Sequence, residues 1–194
     1  MHNLKKTMST LEDLMAVPGE TKTELIDGEI YMMAPAVARH SDVSGNLAFE
    51  IKDYFRNKKK KGPKDIDSWR ILPEAWTLYD QHNAFVHDLA AFSRKEMPVL
   101  PDLGPIHVKP KWVCEILSPS NRTNDTQLKK AVLEQYGVAY YWLIDPRRQT
   151  IEVFEYQENS RNYQLKSSVK KEDGIVNLAP FSDLDLDLTE IFES

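Results

Sequence analysis

Two apolar runs, AFVHDLAAF at 84–92 and WVCEILS at 112–118, each carry one carboxylate in the middle. Their β-branched and aromatic residues read as strand, and their near-continuous apolarity reads as core. An unpaired carboxylate in such a place costs several kcal/mol. Any fold that buries Asp88 and Glu115 must therefore bring positive charge to both. Few arrangements of one sheet and its covering helices meet that demand.

The rest of the pattern supplies the sheet and the helices. Ser9 or Thr10 caps a short helix over STLEDLM that Pro18-Gly19 stops. TELIDGEIYMMAP is a hairpin turning at Asp27-Gly28. Val43, Leu47, Ile51, Tyr54 and Phe55 recur near the helical period, which predicts a helix over 38–57. Short strands are expected at DSWRILPE and AWTLYD, and a proline-rich loop at 93–110. NDTQLKKAVLEQYGV reads as a helix capped by Asn124 or Asp125 and ended by Gly137. AYYWLIDP and TIEVFEYQ are strands joined at Pro146-Arg147-Arg148, followed by a further hairpin. DLDLDL alternates strictly and predicts a half-exposed edge strand. Strands mixed with helices imply an α/β or α+β fold around one central sheet.

Composition bounds the function. A chain of 194 residues, 41% hydrophobic, suits one domain spanning 1–194. A formal net charge of −5 excludes a globally basic nucleic-acid binder but permits local basic patches. KKKK at 58–61 is either a solvated helix end or such a patch. The lone Cys114 excludes a disulfide framework and reads as a small core residue. Neither a membrane-spanning apolar run nor a signal-peptide core is visible, so a cytoplasmic protein without a membrane partner is expected.

A divalent cation would reconcile the two acids. Mg²⁺ takes hard oxygen ligands, often one or two carboxylates completed by water and substrate phosphate. A structural ion pair with lysine or arginine would serve each acid equally well, and the pattern alone leaves the readings level. Lys129 and Lys130, about one turn into the helix after Glu115, could reach back toward both carboxylates and toward a phosphate.

In their order along the chain, Asp88-Leu89, Glu115-Ile116-Leu117-Ser118-Pro119-Ser120, Asp125-x-x-x-Lys129 and YYWLIDP resemble the Uma-two family of nucleases. That family lies within the PD-(D/E)XK, restriction-endonuclease-like superfamily. ELIDGEIYMMAP followed by Arg39-His40 is similar to the family's amino-terminal signature. The resemblance implies a mixed sheet flanked by helices and a centre that hydrolyses phosphodiester bonds of nucleic acid, DNA first, with Mg²⁺ or Mn²⁺. It makes Asp88 and Glu115 the metal ligands and Lys129 the catalytic lysine, with Lys130 its neighbour. Glu24 or Glu50 would supply a further acid, and His40 would contact a phosphate or orient an acid. Arg122, Lys130 and Lys58 to Lys61 would touch the backbone.

Two positions depart from the superfamily pattern. Leu117 stands where its usual lysine would be, and His87 stands where the family has proline. His87 should point away from Asp88, toward a core role. Cutting both strands of a duplex would favour a homodimer with paired sites. The rival from another class is a nuclease fold without catalysis that binds nucleic acid or a protein. Glycosidase, serine hydrolase and nucleotide-driven chemistries find no support, since the tryptophans fall in strands and neither G-x-S-x-G nor a P-loop is present.

Overall fold

The computed structural model describes residues 8–18, 22–61, 69–119 and 121–193, with backbone alone for 58–61. Helix α1 (Leu11–Met15) is closed by a capping box in which Thr10 and Asp13 satisfy each other's backbone amides. The hairpin follows as β1 (Thr23–Ile26) and β2 (Glu29–Met32), with Asp27 and Gly28 both at positive φ. Helix α2 (Ala38–Lys61) is longer than its periodicity predicts and presses Val43, Leu47 and Ile51 into the core.

The two short strands expected at 67–80 are one, β3 (Trp69–Asp80). Pro73 does not break it because the named strand beside β3 is β4 (Asn83–Ser93) alone and the bridge to Ile106 lies farther on at Thr77, which leaves at Pro73 an edge where a missing N–H is tolerated. After the proline-rich loop come β5 (Trp112–Ile116), then a π-helical turn, π1 (Asn124–Lys129), which runs straight into α3 (Lys130–Gln135). Thr123 precedes that turn without any side-chain cap, so neither Asn124 nor Asp125 is the cap. Strands β6 (Tyr140–Asp145), β7 (Thr150–Gln157) and β8 (Asn162–Lys170) complete the main sheet.

That sheet has eight strands in the order β2-β1-β4-β5-β6-β7-β8, with β3 also on β4. Only β5 and β6 run parallel, joined by the π1–α3 crossover. The long strand expected at DLDLDL shrinks to β10 (Leu186–Asp187), paired with β9 (Ile175–Val176) in a small second sheet, and α4 (Leu188–Ile191) follows at once. The alternation there is real: Leu184, Leu186 and Leu188 are all buried. It reports contact with the core beneath α2 rather than a long ladder.

Trp112 and Trp142 cross edge to face at 5.3 Å on the α2 side of the sheet. Val113, Tyr141 and Leu143 pack on the α3 side. Trp69 and Trp76 are half-buried, and Cys114 is buried on β5 beside Glu115, where burial pushes its thiol well above its usual range. Among the described residues no helix is long and apolar enough to cross a membrane.

Gly137 ends α3 at φ 60°, and a Cβ built there would sit 3.2 Å from Cε1 of Tyr156. Both the left-handed backbone and the tyrosine select glycine. Gly137→Ala should lower unfolding free energy by about 1 kcal/mol, read as a shift of the urea midpoint with an unchanged slope.

Candidate active site

Strand β4 positions the site because its ladder is interrupted. Along one edge it meets β1 at Leu25–Ala84 and β5 only at Leu89 to Ala91. Between those contacts the neighbours splay apart, and residues 85–88 have no strand partner on that side. Side chains fill the gap. Glu24 Oε1 accepts from Val86 N at 3.0 Å, and Glu115 Oε2 accepts from Asp88 N at 3.4 Å. Asp88 Oδ2 in turn accepts from Ile116 N at 2.7 Å.

The inward alternation of β4 also breaks here. Phe85 shares one core face with Ala90 and Phe92, while Leu89 and Ala91 lie on the other. Across the ladder from Asp88, Glu74 takes φ 50°, an uncommon backbone for glutamate. The distortion separates the two acids' surroundings. Asp88 turns to His40 of α2, whose Nε2 lies 3.0 Å from Asp88 Oδ2. His87 turns inward instead, with Nδ1 2.7 Å from Glu115 Oε1 and Nε2 2.9 Å from the Tyr79 hydroxyl. His87 thus takes the core position expected of it, and it does so by engaging one of the two acids.

Three acids gather behind Asp88. Glu24 (0% exposed), Glu115 (1%) and Asp125 (0%) surround the Lys129 ammonium, itself 1% exposed. The ammonium lies 3.0 Å from Glu24, 3.2 Å from Asp125 and 3.6 Å from Glu115. It also donates to Val86 O at 3.4 Å, within the β4 gap. Asp125 and Lys129 both point inward because residues four apart share a helix face, and the turn that carries them is π-helical, a geometry that recurs at functional sites.

The electrostatics follow from burial and this single cation. Burial pushes Glu115 up to about 8, with Asp88 and Glu24 adding to the effect and Lys129 opposing it. Burial likewise raises Asp125 well above the carboxylate range despite Lys129. Burial would raise Asp88 too, but the His40 hydrogen bond and charge, Lys129 and the Ile116 amide hold it below the usual value. Burial works against the charged form of His40, yet its bond to Asp88 and the surrounding acids raise it. Burial and Lys129 drive His87 down to about 3, so its imidazole is neutral. Lys129 is raised well above its usual value: burial opposes its charge, and the four acids Glu115, Glu24, Asp125 and Asp88 overcome that.

Asp88 and His40 open onto a cleft of ≈ 420 Å³, lined also by Ser118, Asn121 and Asn124. Lys22 pairs with Glu74 at its wall. The structure therefore brings together Glu24, His40, Asp88, Glu115 and Lys129. Glu50 is not with them: it lies ten residues farther along α2, in a separate acidic depression with Asp53 and Asp185. Arg122, expected at a phosphate, pairs with Asp145, and Lys130 rests 3.6 Å above the Phe154 ring. The side chains of Lys58 to Lys61 lie outside the described residues, as does Ser120. Tyr79 was missed by sequence reasoning, and Asp125 was noted there only as a cap and as the start of the Asp-x-x-x-Lys spacing.

A search of curated proteins found no match. Among solved structures, one described as a "putative nuclease belonging to DUF820", from Anabaena variabilis, superposes with a TM-score of 0.72. It is 23% identical, and the match covers 95% of this chain and 97% of that one, so the nuclease-like fold is shared over essentially the whole length. The family Uma2, described as "Putative restriction endonuclease", matches residues 9–189. With so much of the sequence matched, the chain belongs to the Uma2 family.

Proposed function

We propose that the chain hydrolyses phosphodiester bonds of nucleic acid, DNA foremost, at Asp88 with a divalent cation, Mg²⁺ or Mn²⁺. The observation that carries this reading is a carboxylate at the floor of an open cleft, backed by a second, buried carboxylate on the neighbouring strand. Among the described residues no three His, Cys, Asp or Glu side chains form a ready metal cage. Mg²⁺ keeps several waters and takes one or two carboxylates plus substrate phosphate, so two carboxylates would serve it. Asp88 Oδ2 carries the bonds to Ile116 and His40, while Oδ1 has no protein partner among the described residues. Glu115 Oε2 is held only by the 3.4 Å contact with Asp88 N. Those two oxygens are the donors that would hold the ion.

When bound, the ion supplies charge neutralisation at the phosphate and a water of lowered pKa. The chain's own groups do the rest. His40 fixes the Asp88 carboxylate, and the bond to Asp88 together with the surrounding acids favours its charged form, which suits an anionic substrate at the cleft wall. Lys129 touches acids rather than the cleft. Its part is to hold Glu24, Asp125 and Glu115 around one cation, so it is a positioning residue for Glu115. Glu24 anchors that ammonium and ties β1 to the β4 gap through Val86.

A binding module without hydrolysis is the second reading, favoured by an ammonium that already compensates three of the acids. Plasmid and single-stranded substrates incubated with Mg²⁺, Mn²⁺ or EDTA separate the two. Cleavage by the wild type with either metal, lost by at least about 100-fold in Asp88→Ala and Glu115→Ala, is the expected result. Calorimetric titration with Mn²⁺ should show heat that disappears in Asp88→Ala. Equal cleavage by both variants would remove the proposed centre, and binding without cleavage in any metal would favour the module.

A further inference from the structure

A second groove, of ≈ 320 Å³, runs where the middle of α2 passes the open edge of β3. Its lining includes Lys52, Arg56, Arg70 and Arg94 and, among the described residues, no acid, on a chain whose net charge is −5. None of these four cations pairs with a carboxylate among the described residues. Elsewhere on this protein lysines and arginines do find acids, Lys111 with Glu96 and Lys166 with Glu155 among them. The imbalance is local.

Two of the guanidiniums are placed rather than merely exposed. Arg70 donates from Nε to Met97 O at 3.0 Å and from a terminal nitrogen to Pro98 O, which fixes its plane without neutralising it. Arg94 has Nε buried and without a hydrogen-bond partner among the described residues. A desolvated guanidinium nitrogen left unsatisfied is costly. Burial and the adjacent Arg70 charge both pull Arg94 below the usual arginine range, so the pair repel each other. An anion seated between them would relieve both penalties. Charged side chains on an edge strand also prevent aggregation, but one solvated lysine would do that, with no buried unsatisfied nitrogen.

Geometry gives the anion an identity. In the β3–β4 register Arg70 faces Phe92, four residues along β4 from Asp88. At about 3.3 Å per residue the groove lies ~13 Å from the site. A nucleic-acid strand rises about 3.4 Å per nucleotide, so that span is about four nucleotides. Trp69 and Phe55 stack on each other at 6.4 Å and both pack on Phe181, so their rings are engaged with the core, while the groove's charged groups are all cationic. The groove suits phosphates, not bases.

We infer that this groove holds the phosphate backbone of a duplex about four nucleotides from the bond at Asp88, setting affinity and register without reading sequence. The inference rests on the nuclease reading for the identity of its ligand. Binding and cleavage are therefore measured separately.

The probe is a fluorescein-labelled duplex long enough to span site and groove, with the matching single strand beside it. Anisotropy is followed against salt in EDTA, for wild type, Arg56→Gln, Arg94→Gln and the double variant. The double variant should lose about two units of the log–log salt slope, about 0.9 for each cation removed, for duplexes of any sequence. Melting curves of the exposed Arg56→Gln variant check that the fold persists. A slope unchanged in all variants while the wild type binds normally would overturn the groove and leave the nuclease reading standing. No duplex binding by the wild type, or single-strand binding by the same residues more than about tenfold tighter, would overturn it as well. A reduced slope in a protein that cuts nothing with Mg²⁺ or Mn²⁺ would uphold the groove and remove the nuclease.

Discussion

Lys129→Met should melt about 10 °C or more below the wild type, the largest loss expected of any single lysine here. Its ammonium is the charge that Glu24, Asp125 and Glu115 share, and among the described residues no other lysine or arginine reaches them. Removing one partner of a buried ionic group leaves the rest uncompensated, at a cost of about 3–5 kcal/mol. The pH dependence identifies the cause. Without the ammonium the buried acids must take up protons, so the folded variant binds more protons than its unfolded chain. Stability then falls as pH rises above the ordinary carboxylate range, and part of the defect is recovered in acid. Lys130→Met is the control: Lys130 lies over Phe154 on the same helix, and its loss should cost no more than about 1 kcal/mol. A Lys129→Met protein that melts within about a degree of wild type at every pH would show that the cluster is not held by this charge.

Lys129 also marks how far the sequence could be read. Asp88 and Glu115 announce themselves, because a lone acid in an apolar strand is conspicuous under any pattern. The helix, hairpin and strand order follows from period and turn chemistry, and it survives in the structure with β3 fused and DLDLDL shortened. Hidden from the sequence is the splay between β1 and β5, which depends on where two non-adjacent strands leave β4. That opening brings Glu24 into the cluster and leaves Glu50 outside it. It also gives Tyr79 its place, since a tyrosine in a strand carries no sign that its hydroxyl meets a histidine on the next one. The π-helical turn is equally invisible: its residues fit an α-helix as well, and four-apart Asp125 and Lys129 would share a face in either.

Asp88→Asn and Glu115→Gln should separate chemistry from stability, because the two acids carry opposite electrostatic signs. Asp88 is held below the usual carboxylate range by His40, Lys129 and the Ile116 amide once their pull exceeds the effect of burial. Its charge therefore stabilises the fold above the ordinary aspartate pKa, and Asp88→Asn should lose both cleavage and some stability at neutral pH. Glu115 is pushed up to about 8, chiefly by burial. Between its unfolded value of 4.5 and about 8 the folded chain keeps a proton there that the unfolded chain has released. Wild-type stability must then fall, relative to a neutral isostere, as pH rises through that window. Glutamine preserves the shape, can accept from Asp88 N and can donate to neutral His87. Glu115→Gln should accordingly match the wild type in acid, melt several degrees above it once pH passes about 8, and cleave nothing at any pH. Paired thermal melts and plasmid assays across the range are the measurement. A melting difference that stays flat from acid to alkali would mean that Glu115 is ionised in the fold throughout, and the source of its charge compensation would have to be sought beyond burial and Lys129.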